Sequence, residues 1–200
     1  MKKFLRNDLL VIARLIEKEE KVLDVGCGDG NLIDFLEKNK GADCRGVELK
    51  LQGVNECIKG GLSVIQGDAD YDLSDYPDNA FSTVILSQTI QAMINPDKVI
   101  ENLIRIGKRA IISFPNFGYW KVRRDFLLTG LMPKNKILSY EWYNTPNIHL
   151  CSIKDFSNFC QINGIKICDS IFLNEMGNKV NKKIFMNLFS YQVIFSISIK

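Results

Sequence analysis

Val22-Leu-Asp-Val-Gly-Cys-Gly-Asp-Gly30 is the stretch from which the fold of this chain is read. Val22, Leu23 and Val25 form a short buried strand that runs directly into a turn carrying Gly26, Gly28 and Gly30, and a helix is expected from Asn31 to Asn39. Glycine lets the backbone take positive φ and approach a ligand closely. The helix that follows presents unpaired N–H groups and a partial positive charge, which suits a carboxylate-bearing ligand. The spacing is G-x-G-x-G, not the G-x-G-x-x-G of dinucleotide folds. Asp24, inside the strand, would repel a pyrophosphate and attract an ammonium group. A ligand with an amino-acid end and a ribose therefore fits, and S-adenosylmethionine (SAM) is such a ligand. NAD, or a turn with a structural role only, are the alternatives. Cys27 lies within the turn and offers its backbone more than its sulfur.

Working outward, Cys44 to Leu49 reads as a second strand that reaches Glu48 near its C-terminal end. A carboxylate there, about twenty residues past the glycine turn, suits both ribose hydroxyls; a solvated surface Glu is the other reading. Ser63 to Gly67 is a third strand, and Asp68-Ala69 follows it. Asp68 either accepts from an adenine amine or serves as a cap or turn residue. Phe81 to Leu86 is apolar enough to be a central parallel strand. Ser87, Gln88 and Gln91 come at its C-terminal end, where open α/β sheets place ligands. Ser87 is a cofactor-binding candidate. Gln88 and Gln91 are candidates for contact with cofactor or substrate, against the alternative that they solvate a helix start.

The remaining pattern is strand–helix alternation. Residues 7–18 carry a helical apolar stripe with Asp8 as expected N-cap, Val54–Lys59 is a short helix, and Asp97–Ile106 is a helix closed by Gly107. Arg109–Phe114 is a fifth strand. Ser152-Ile-Lys-Asp155 is a capping-box variant that starts a helix ending near Asn163. Ile165–Leu173 and Tyr191–Ile199 are two strands with no ordinary helix between them, so an antiparallel hairpin is expected at one edge. The sum is a doubly wound α/β sheet in a single domain over residues 1–200.

Residues 115–150 break the rhythm with an aromatic and basic insertion. Because it follows a central strand, it is expected to lie over the ligand crevice as a lid or long functional loop. Asn116, Tyr119 and Trp120 in it are candidates for substrate or partner contact. His149, the chain's one histidine, is the weak candidate for a general base; a structural or substrate-orienting hydrogen bond is the competing role.

Composition sets the outer limits. Two hundred residues with a net charge of +3 describe an ordinary globular chain with no electrostatic case for nucleic acid. No apolar run approaches a membrane span. Six cysteines include no Cys-x-x-Cys pair, so no metal site is expected and the thiols should be buried in a reducing, cytoplasmic setting.

With these residues in view, the chain resembles the class I SAM-dependent methyltransferases through Asp24, Gly26, Gly28, Gly30, Glu48, Gly67-Asp68-Ala69 and the strand Phe81–Leu86. That resemblance implies a Rossmann-like sheet of seven strands with an antiparallel last strand and helices on both faces. A more specific resemblance is to the MetW family of methionine biosynthesis proteins. It is carried by Leu23–Gly30, Leu86–Gln91, Arg109–Gly118 and Trp142-Tyr-Asn-Thr-Pro-Asn-Ile-His-Leu-Cys151. It implies association with homoserine O-acyltransferase in making methionine, and names no methyl acceptor. Two roles follow: a SAM-binding accessory subunit of the acyltransferase, or an active methyltransferase with a small-molecule acceptor. Residues 175–190 depart from the family pattern and receive no role.

Overall fold

The computed structural model describes residues 5–135, 138–180 and 184–199. The chain runs α1 (Asn7–Leu15), β1 (Lys21–Val25), α2 (Asn31–Lys40), β2 (Asp43–Glu48), α3 (Leu51–Lys59), β3 (Val64–Gln66), β4 (Phe81–Ser87), α4 (Pro96–Ile106) and β5 (Gly107–Pro115). It continues through α5 (Trp120–Thr129), α6 (Ile153–Ile162), β6 (Ile165–Leu173), α7 (Met186–Phe189) and β7 (Gln192–Ile199). The seven strands form one sheet in the order β3-β2-β1-β4-β5-β7-β6. β1 to β5 are parallel, and β7 runs antiparallel to both β5 and β6. The expected hairpin is present, with β7 on its inner side and β6 at the edge.

The central strands β1, β4, β5 and β7 are buried on both faces, and their alternation sorts the core into two layers. Leu23, Val25, Val84, Leu86, Ile112, Phe114 and Phe195 point to one face, where α4 and α6 cover them. Val22, Ile85, Ile111 and Ile194 point to the other, beneath α1, α2 and α3. The period of two explains the division. The first layer centres on an aromatic stack: Phe156 of α6 lies 5.2 Å from Phe114 and 4.9 Å from Phe195, centroid to centroid.

Several boundaries differ from the sequence reading for identifiable reasons. α1 ends at Leu15 because Ile16 turns extended and is buried. The chain then bends, and Glu20 takes the Glu17 N–H at 2.7 Å. Arg109 holds the Glu20 carboxylate at 3.2 Å and bonds the Leu15 carbonyl at 2.6 Å, which pins this bend to β5. Asp8 is not the N-cap: Arg6 occupies that position, and Asp8 sits in the first turn, bonded to Arg6 and to Gln192. The capping box at Ser152 and Asp155 forms as expected. Gly107 opens β5 as well as closing α4. Cys44, Cys57 and Cys160 are buried thiols, whereas Cys168 is exposed on the edge strand β6. Among the described residues no helix is long and apolar enough to cross a membrane, and no cluster of metal-ligating side chains occurs.

Candidate functional site

The strand order reverses between β1 and β4, and a cavity of about 360 Å³ opens at the C-terminal ends of these two strands. That is where open α/β sheets bind ligands. Its walls are the glycine turn (Gly26, Cys27, Gly28, Asp29), the start of α2 (Asn31, Leu32), the end of β4 with its following turn (Ser87, Gln88, Thr89), and Arg6 and Leu9; Asp24 also lines it.

The turn is held from outside itself. The N–H groups of Gly26 and Cys27 both donate to the Val47 carbonyl, at 2.8 and 3.2 Å. Gly26, Gly28 and Gly30 all take positive φ, between 59° and 74°. A side chain at Gly28 would meet nothing within 4 Å, so the turn leaves open space there for something to come close. At Gly30 the same addition would sit 2.5 Å from Leu62 and 2.8 Å from Cys57, so that glycine serves packing.

Glu48 ends β2 and is 9% exposed. Its Oε2 accepts the Gly28 N–H and its Oε1 accepts the Lys50 N–H, both at 2.9 Å. A carboxylate oxygen has two lone pairs, so each Glu48 oxygen keeps one for a hydroxyl donor. Sequence reading missed Gly53, which makes this arrangement fit: a Cβ there would lie 2.7 Å from the Gly28 carbonyl and 2.9 Å from Glu48 Cγ. Asp24, on the face shared with Val22, is 3% exposed. Burial pushes its pKa up to about 7, the Glu48 charge adds to this, and the Arg6 guanidinium opposes it. Burial and the Asp24 carboxylate also push the Cys27 thiol well above its ordinary range, so that sulfur is not a thiolate nucleophile.

The other candidates are placed around this centre with unequal closeness. The Gly67 N–H bonds the Glu48 carbonyl at 3.1 Å, which brings the Asp68-Ala69 turn beside β2, but neither residue lines the cavity. Asp68 Oδ1 accepts the Asp70 N–H at 3.0 Å, a turn contact. Ser87 lines the cavity and shares a 3.0 Å hydrogen bond with Ser113. Gln88 takes φ 57° and also lines the cavity. The Gln91 Nε2 donates to the Gln88 carbonyl at 2.7 Å. Gln88 Nε2 and Gln91 Oε1 are the buried side-chain polar atoms without a protein partner among the described residues.

Residues 115–150 contribute nothing to the described lining of this cavity. Asn116 is buried, and its amide donates to the carbonyls of Asn187 and Ser190 at 2.9 and 2.7 Å. Tyr119 packs edge-on against Tyr191, and half-buried Trp120 lies under the Arg124 guanidinium, 5.2 Å from its centroid. His149 lines a separate apolar groove of about 430 Å³ with Gln91, Ile100 and Phe156. Its N–H donates to the Gln91 carbonyl at 2.9 Å, and its Nε2 lies 3.4 Å from the Ile94 carbonyl. Arg6, Leu9, Asp29, Asn31, Leu32 and Thr89 are wall residues that sequence reading did not single out. Arg6 lies eighteen positions before Asp24 with no motif around it, so only the docking of α1 brings it here.

A seven-stranded sheet of this order, with a glycine turn at its reversal point, has the fold of the Rossmann-like methyltransferases. A SAM-dependent methyltransferase of Archaeoglobus fulgidus superposes with a TM-score of 0.66 and 17% identity, covering 95% of this chain and 93% of that one. The chain belongs to the methionine biosynthesis protein MetW family, whose model matches residues 6–197. It is 30% identical over 170 residues, 80% of its length, to a bifunctional methionine biosynthesis protein MetXA/MetW of Rhodopirellula baltica. It is also 30% identical over 98 residues to ajmaline N-methyltransferase of Rauvolfia serpentina, across 45% of this chain. The chain spans 27% and 33% of the lengths of these two curated relatives.

Proposed function

We propose that this chain binds SAM in the cavity at the glycine turn and acts as an accessory subunit of a homoserine O-acyltransferase. The observation that carries the SAM reading is Asp24 in the cavity wall together with Glu48, which lies outside the described lining and reaches the open glycine turn by accepting the Gly28 N–H. Asp24 would take the ligand's ammonium and Glu48 its ribose hydroxyls. Gly28 gives the ligand room, and Arg6, the cation on the wall, would face its carboxylate. When bound, SAM brings an activated methyl group on a sulfonium; the chain's own residues hold and orient it.

The accessory role draws on the fused MetXA/MetW relative, in which the two names stand on one chain. Methyl transfer requires an acceptor held in line with the sulfonium, and often a base. His149 stands in a different hollow from the turn. The second reading, an active methyltransferase with a small-molecule acceptor, is favoured by the similarity to the ajmaline enzyme over 98 residues.

Calorimetric titration with SAM, in the presence and absence of the acyltransferase, tests this. Binding is expected in both settings, with an affinity that changes when the partner is added, as linkage requires. SAM binding indifferent to the acyltransferase would overturn the accessory role; no heat in either setting would overturn the SAM site. Glu48→Ala is expected to weaken SAM binding by about 1–3 kcal/mol, the scale of lost hydrogen bonds to a charged group. An unchanged dissociation constant for that variant would remove Glu48 from the ribose assignment.

A further inference from the structure

The helix α5 begins well anchored and ends without cover. At its start, Tyr119 and Val122 pack with Tyr191 in a small buried cluster. Arg123 Nε bonds the Gly118 carbonyl at 2.7 Å. Its second half reads Phe126-Leu-Leu-Thr-Gly-Leu131, closed by Gly130 at φ 66°. Phe126, Leu127, Leu128 and Leu131 are 52, 83, 74 and 70% exposed. Consecutive helical residues stand about 100° apart, so 126 to 128 sweep over roughly half of the helix circumference. Apolar surface on most sides of a helix belongs in an interior.

A second segment also carries exposed apolar side chains. The Asn116 amide, at the root of α5, ties down the carbonyls of Asn187 and Ser190. The chain just before them presents Ile184 and Phe185, 67 and 69% exposed, with Phe185 held at φ 60°. Two sequence-distant segments, one leading on from Asn116 and one tied to it, thus carry exposed large apolar side chains. Among the described residues two ion pairs lie near that root: Lys121 with Glu175 at 2.8 Å, and Arg124 with Asp125 at 2.6 Å. An apolar centre bordered by paired charges is the anatomy of a lasting protein interface more than of an electrostatic encounter.

We infer that the exposed half of α5, with Ile184 and Phe185, is the surface on which the homoserine O-acyltransferase docks. The occupant rests on the accessory role proposed above; the surface rests on exposure and chemistry alone. In the R. baltica relative the matched part is 27% of the chain, which leaves ample length for a whole partner domain beside it. Fusion holds two domains at high effective concentration, and an apolar contact suits partners kept together. None of the named surface residues lines the SAM cavity, so the surface can be altered without touching the ligand.

The test is sedimentation and co-purification of the full chain with the acyltransferase of the same organism, for wild type, for Leu127→Glu/Leu128→Glu, and for Ile162→Glu as an exposed apolar control on α6. The double variant is expected to weaken the complex at least 100-fold. Its SAM titration as a lone chain should match wild type, and Ile162→Glu should bind like wild type. A double variant that still binds the acyltransferase as wild type overturns the surface and leaves the accessory role standing. Wild type that does not bind the acyltransferase at all removes both. A wild-type dimer that the double variant converts to monomer, with acyltransferase binding intact, makes a second copy the occupant and overturns the inference.

Discussion

Asp24→Asn is expected to make the ligand-free protein more stable at pH 8 while removing its affinity for SAM. Asp24 lies under α1 and α2, 3% exposed, and its pKa rises from 3.8 to about 7. The unfolded chain releases this proton near pH 4, and the folded chain holds it until about pH 7. Between those values the folded state binds more protons, so its stability falls as pH rises through the window, and the full penalty stands above pH 7. Asparagine keeps the shape and removes the charge. The gain at pH 8 is on the order of 2–4 kcal/mol, or a rise in Tm of roughly 5–10 °C for a chain of this size. The gap between variant and parent should close steadily as pH falls towards 4. Differential scanning calorimetry across this range checks it, and a constant gap, or a less stable variant at pH 8, would refute the buried-charge account.

In the proposed SAM site, the same carboxylate that costs stability would be the ammonium's partner. SAM affinity in the wild-type chain is therefore expected to rise with pH up to about 7 and level off above it, because a bound cation favours ionised Asp24. Titration below pH 7 should release protons to the buffer on binding. Asp24→Asn should flatten this pH dependence as well as lower the affinity. A destabilising charge kept at a cavity is a common sign that the cavity does something.

Gly28→Leu is expected to abolish SAM binding at little cost to the fold. Gly28 sits at φ 59°, where a side chain costs about 1–2 kcal/mol. No atom lies within 4 Å of the Cβ position, so no collision adds to that cost. The new side chain would project into the space that the ligand needs against the turn. A fall in Tm of a few degrees at most, with SAM affinity down at least 100-fold, is the expected pair of results. Gly30→Leu is the contrast, because its side chain would run into Leu62 and Cys57 and unsettle the packing of α2 on α3. Normal SAM binding by Gly28→Leu would mean that the turn is structural.

Much of the fold is local and was therefore open to reading from the chain. The strand–turn–helix unit announces itself through three apolar residues followed by glycines, and the apolar runs of β4 and β5 mark central parallel strands. The lack of a helix of ordinary length between β6 and β7, where α7 spans only four residues, marks an antiparallel pair. Glu48 was legible because a carboxylate at the end of the second strand has a fixed sequence distance from the glycine turn. Its neighbours on the far side were not. Arg6 and Leu9 reach the cavity only through the docking of α1, and Gly53 matters only because α3 comes within touching distance of Gly28 and Glu48.

The insertion after β5 shows the same limit. Its aromatic and basic composition points to function and says nothing of direction; none of its described residues lines the cavity, Asn116 is spent on anchoring and the apolar half of α5 is exposed. Sequence by itself determined the class of fold, the order of its elements and the residues of the glycine turn with its two carboxylates, because periodicity and short-range spacing encode these directly. Only the tertiary structure decided the depth at which Asp24 lies, the walls that α1 and the β4 turn add, and the apolar surface left bare, because burial is a property of what packs against a residue and not of the residue itself.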